Sequence, residues 1–117
     1  MVDSSHRLGR FWIVTNKPWV QERLPGRRVW LIAGEGRPRR YYLRQTFIAE
    51  EVRPSPIPGF EHLVRGRHGI RFRKLCIDAE PWFVDFLRSQ GNFSLGLSEV
   101  RGEFADELNR LTTTSSA

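Results

Sequence analysis

The 117-residue chain has one cysteine, only two lysines (Lys17 and Lys74) and no long apolar run, and each shortage removes a class of protein. Cys76 stands alone in Leu75-Cys76-Ile77, so no disulfide closes within the chain, and a thiol between apolar neighbours usually behaves as a small hydrophobe. With one cysteine and scattered histidines the residues of a zinc site are missing, and no metal or cofactor is expected. No stretch approaches the ~20 apolar residues of a membrane span. Met1-Val2-Asp3-Ser4-Ser5-His6 lacks the apolar core of a signal peptide, so a cytoplasmic protein without a membrane partner is expected. Neither Gly34-Glu35-Gly36 nor Gly66-Arg67-His68-Gly69 leads into Gly-Lys-Ser/Thr, which excludes a Walker-type phosphate loop.

What the chain does have is arginine, which supplies all but two of its nineteen Lys and Arg side chains. The arginines run beside aromatics, in Arg27-Arg28-Val29-Trp30, Arg39-Arg40-Tyr41-Tyr42 and Arg71-Phe72-Arg73-Lys74. Guanidinium is a planar fork that grips phosphate or a guanine edge through two hydrogen bonds and also stacks on rings. A GC-rich genome also favours arginine over lysine, so composition alone does not decide. A net charge of +6, a pI near 10.7 and thirteen interspersed acids point to a polyanionic partner, DNA or RNA, rather than to a basic tail. A homodimer or an effector protein are the further partners to consider.

The hydrophobic pattern predicts an α+β domain over residues 10–111, between a flexible 1–9 segment and a disordered 112–117 tail. Phe11-Trp12-Ile13-Val14 reads as a strand closed by Asn16-Lys17-Pro18, with a short connector after Trp19. Val29 to Ala33 reads as a strand buried on both faces. A long strand follows from Arg40 to Val52, with Tyr41, Leu43, Phe47 and Ala49 on one face and Tyr42, Arg44, Thr46 and Ile48 on the other; a bulge or strong coil is expected near Gln45-Thr46. Pro54, Pro56, Pro58, Gly59, Gly66 and Gly69 predict a loop from Ile57 to Gly69 holding at most a short strand at His62-Leu63-Val64, and a strand resumes at Ile70. Asp78 is the expected N-cap of a helix carrying Trp82, Phe83, Phe86 and Leu87, and a second helix spans about Glu99 to Leu111. The expected architecture is a small curled sheet or pseudo-barrel with two helices, mainly C-terminal.

Phe11-Trp12-Ile13-Val14 with Asn16-Lys17-Pro18-Trp19, the Pro25-Gly26-Arg27-Arg28-Val29-Trp30-Leu31-Ile32 segment, and Phe47-Ile48-Ala49-Glu50-Glu51-Val52 resemble the PUA-like superfamily, nearest its EVE and ASCH branches. The likeness covers about residues 10–77. It departs at Gly26-Arg27, where EVE-like chains usually carry Gly-Asp. Gly91 to Leu97 is similar to a loop near the end of PUA-like modules attached to restriction endonucleases. The resemblance implies a non-catalytic domain that reads a base, often a modified one, between barrel and loops.

A flipped or single-stranded base needs flat apolar walls, one or two edge hydrogen bonds and cations for its phosphates. Trp12, Trp19 and Tyr42 are the candidate walls, Asn16 and Ser94 the edge readers, and Lys17, Arg40, Arg44, Arg71 and Arg73 the cations around them. Tryptophans in a small domain are mostly core, and Trp30 and Trp82 are assigned there. The rival from another class is a small ribonuclease or nucleotide-directed hydrolase using His62, His68 and Lys17. A third is a protein interaction module built from Phe93 to Leu97 and the C-terminal helix.

Overall fold

The computed structural model describes residues 11–91 and 97–116. Its elements are β1 (Phe11–Thr15), α1 (Val20–Arg23), β2 (Arg28–Glu35), β3 (Arg40–Pro54), β4 (His62–Cys76), α2 (Phe83–Ser89) and α3 (Gly102–Ser116). The strands bond in the order β1-β4-β3-β2, and β1 lies antiparallel to β4 with Phe11 opposite Gly66 and Thr15 opposite His62. The chain is therefore α+β, a small curled sheet with helices mainly C-terminal, as its pattern predicts. It forms two compact units, one comprising the chain up to Leu31 with Gln45–Arg71, the other Ile32–Arg44 with the chain from Phe72.

The first unit is centred on Phe11, Val20, Leu24, Val29, Phe47, Ala49, Leu63 and Val64, all buried. The Phe11 and Phe47 rings stack with centroids 6.2 Å apart. Here the expected loop from Ile57 to Gly69 is corrected, because β4 runs unbroken from His62. Its glycines serve close approach rather than punctuation. A Cβ on Gly66 would stand 2.1 Å from the Phe47 ring and 2.4 Å from the Ile48 carbonyl oxygen, and one on Gly69 would stand 2.7 Å from the Thr46 oxygen and 2.8 Å from Phe11. Between them His68 has φ 54, the one non-glycine in the left-handed region among the described residues.

In β3, Leu43, Gln45, Phe47 and Ala49 are buried at alternate positions, and the alternation is interrupted at Gln45-Thr46, where a bulge or strong coil is expected. Thr46 is buried as well because its hydroxyl donates to the Val29 carbonyl (2.8 Å) and accepts from Arg28 (3.2 Å). The β2 reading is also corrected. It is an edge strand with Leu31 exposed, and Val29 is its one fully buried residue.

In the second unit Tyr41 turns towards the helices and packs on Phe83, centroids 5.2 Å apart. Phe86 then meets Trp82 (5.8 Å), Phe83 (6.3 Å) and Phe104 (5.4 Å) in tilted and edge-on pairs, with Ile77 and Leu108 fully buried. Phe104 and Leu108, one helical turn apart, form the buried stripe of α3. That helix continues through Ser116, where a tail is expected from residue 112; the Thr112 and Thr113 hydroxyls donate to the carbonyls of Leu108 and Asn109 one turn back. Asp78 does not cap α2, which begins after Trp82 without a side-chain cap. Instead it accepts the Tyr41 N–H at 2.9 Å and fixes the start of β3.

Candidate nucleic-acid interface

Period-2 alternation sends Tyr41 and Leu43 inward and leaves Arg40, Tyr42 and Arg44 on the opposite face of β3. Beside them the chain reverses through Gly36-Arg37-Pro38-Arg39 between β2 and β3. Together with Glu35 at the end of β2 and Arg73 on β4, this turn and face bound an open cleft of about 490 Å³. Four sequence-predicted residues, Arg40, Tyr42, Arg44 and Arg73, thus meet at one concave surface.

The four arginines of this cleft play two different parts. Arg44 donates from Nε to Glu35 Oε2 at 2.7 Å, makes a second bond to the same oxygen, and donates from Nη1 to the Arg73 carbonyl at 2.7 Å. Its guanidinium also lies 5.2 Å from the Tyr42 ring centroid, a cation–π contact. The Glu35 hydrogen bonds raise its pKa above the ordinary arginine value, so it stays charged. Arg40 grips Asp78 with both ends of its fork, at 2.9 to 3.1 Å. Chiefly through that Arg40 bond, and further through the Cys76 thiol and the Tyr41 N–H, Asp78 sits well below the usual carboxylate range although burial opposes the shift. Arg37 and Arg73, by contrast, are exposed and have no carboxylate partner among the described residues. Arg39 is likewise without one, its side chain lying across Gly34, where a Cβ would come within 3.0 Å.

The remaining predicted residues belong to the first unit or lie outside the described residues. Asn16 is not free to read a base: its Nδ2 donates to the Gly59 carbonyl (3.0 Å) and its Oδ1 accepts the Glu61 N–H (2.8 Å), so both ends of the amide tie down the proline loop. Trp12 is half-buried in β1, its carbonyl accepting from Gln45. Trp19 is half-buried ahead of α1 with the Arg23 guanidinium 5.5 Å from its ring, and no ring contact joins it to Trp12 among the described residues. Lys17 is half-buried beside the Thr15 hydroxyl that accepts its backbone N–H. Arg71 is exposed, 5.3 Å from the Phe11 ring and 3.5 Å from the Gln45 amide oxygen. Ser94 lies outside the described residues.

Two other arrangements fit less well. His62 and His68 lie on the same strand six positions apart, which at ~3.3 Å per residue separates them by about 20 Å, too far to share one proton-transfer site. A larger cleft of about 630 Å³ lies along α2 and α3, but its walls carry Asp85, Glu103 and Glu107 against Arg88 and Arg101, with Arg101 bonded to Glu103 at 2.6 Å. A surface so balanced does not concentrate a polyanion.

Sequence reasoning missed Glu35 and Arg37, because Gly34 to Pro38 reads as punctuation ending a strand. The Arg37-Pro38-Arg39-Arg40 charge run was the available signal. No protein-family model matches the chain, and neither the curated proteins nor the solved structures contain a match.

Proposed function

We propose that the chain is a non-catalytic nucleic-acid-binding domain that holds a single strand in the arginine cleft around Tyr42. The observation that supports this most is the pair Arg37 and Arg73, exposed at a concave surface without carboxylate partners among the described residues, beside a ring that a base could stack upon. Phosphates need uncommitted cations, whereas Arg44 and Arg40, fixed by Glu35 and Asp78, contribute field and shape. The likeness of residues 10–77 to PUA-like domains agrees with reading a base, including a modified one.

The test is a salt titration of binding to short labelled single-stranded RNA and DNA, followed by fluorescence anisotropy. If each guanidinium neutralises one phosphate, Arg37→Ala with Arg73→Ala lowers the slope of log affinity against log salt by about 1.4, since a single-strand contact contributes roughly 0.7. The melting temperature should stay in place, because neither side chain is buried. An unchanged slope would remove this cleft from the binding surface.

A further inference from the structure

We infer that Glu35 makes the cleft selective for an unpaired guanine, a specificity that rests on the nucleic-acid reading above. Both Arg44 contacts to Glu35 fall on Oε2, and Oε1 accepts no hydrogen bond from the described residues. The side chain is 41% exposed and lines the cleft, so a carboxylate oxygen already held in orientation by Arg44 is open to a ligand. Tyr42 lines the same cleft with the Arg44 guanidinium 5.2 Å from its ring centroid, and a base would stack against this ring.

A carboxylate can only accept. Guanine presents two adjacent donors, N1–H and the N2 amino group, on its Watson–Crick edge, and the open Oε1 can accept from this edge without meeting an acceptor. Adenine and cytosine each set one amino donor beside a ring-nitrogen acceptor that repels the oxygen. Uracil and thymine flank their single N–H with two carbonyls. Guanine is therefore the base whose edge matches Glu35, and because pairing consumes that edge, only an unpaired guanine is read. Arg37 and Arg73 would hold the flanking phosphates.

The experiment compares oligouridine strands carrying one central guanine, adenine or cytosine, or none, with wild type and Glu35→Gln, at fixed salt. Wild type should prefer the guanine strand on the order of tenfold, the discrimination of one good edge contact, and should lose that preference when the strand is annealed to its complement. Glu35→Gln replaces one acceptor by an amide donor and should bring the four strands to near-equal affinity. If Glu35→Gln also melts at a lower temperature, the wild-type series alone decides. Equal wild-type affinity for all four strands with a normal salt slope, or a guanine preference that survives in Glu35→Gln, overturns the role of Glu35 and leaves the binding reading standing. Absence of salt-dependent binding to any strand instead defeats the binding reading itself.

Discussion

Arg53, Arg65 and Arg67 of the first unit and Arg37 and Arg73 of the cleft in the second all reach solvent, yet they have opposite electrostatic surroundings. In the first unit Glu51 Oε1 accepts from Arg53 at 2.8 Å and from Arg65 at 3.1 Å, and Glu50 accepts from Arg67 at 2.8 Å. Each of these three cations has an acid within reach. At the β2–β3 turn Arg37 and Arg39 have none among the described residues, nor does Arg73 on β4. The lesson is that seventeen arginines are not a footprint. What distinguishes a binding surface is which guanidiniums the fold leaves uncommitted, and whether a flat ring stands beside them.

The largest effect that bears on this contrast is expected in the first unit, whose tight strand packing fixes where its ion pairs can form. Gly66→Ala places a methyl 2.1 Å from the Phe47 ring and 2.4 Å from a backbone oxygen, and a backbone oxygen cannot swing aside as a side-chain tip can. The loss should reach about 3 kcal/mol or more, at the upper end of overpacking effects. Chemical denaturation monitored by circular dichroism measures it. A loss below about 1 kcal/mol would mean that β3 and β4 yield easily at this point.

In the second unit the matching test is Asp78, which Arg40 and the Tyr41 N–H hold as a carboxylate. Asp78→Asn should cost about 1 to 3 kcal/mol at neutral pH, the range for hydrogen bonds to a charged group. The sign follows from the depressed pKa: the folded state favours the ionised form, so its contribution is complete above the unfolded value of about 3.9 and is lost as pH falls below it. Wild type and variant should therefore converge in stability under acid conditions and differ most at neutral pH. A gap that persists undiminished at pH 2 would assign the effect to packing rather than charge.

How much of this was legible in the sequence differs between the backbone and the site. The facing of β3 could be read from alternation alone, since Tyr41 and Leu43 against Tyr42 and Arg44 is a pattern that burial enforces residue by residue. Gly66 and Gly69 misled because a glycine that breaks a strand and a glycine that lets a ring and a carbonyl approach look the same until the neighbouring strand is in place. Asn16 and Asp78 misled for a related reason. Each is a local capping or turn residue by type, and each is consumed by a partner more than thirty positions away. Glu35 was invisible for the opposite reason, being a charged residue in a turn whose meaning comes only from Arg44 on the next strand.

The smallest expected effect is the sharpest test of the comparison. Glu51→Gln removes the acid that Arg53 and Arg65 share and adds one net positive charge to the first unit. Exposed pairs of this kind contribute roughly 0.2 to 1 kcal/mol, so stability should fall by no more than that. If release from an acid were sufficient to make a nucleic-acid contact, the variant would gain about 0.7 in salt slope for each guanidinium set free. Neither Arg53 nor Arg65 lines the Tyr42 cleft, so the slope should stay unchanged and affinity for a single strand should rise by less than about twofold near 0.15 M salt, where surface charge is screened over ~8 Å. A steeper slope in Glu51→Gln would show that neutralisation alone separates the two regions, and that the concave shape around Tyr42 adds nothing to it.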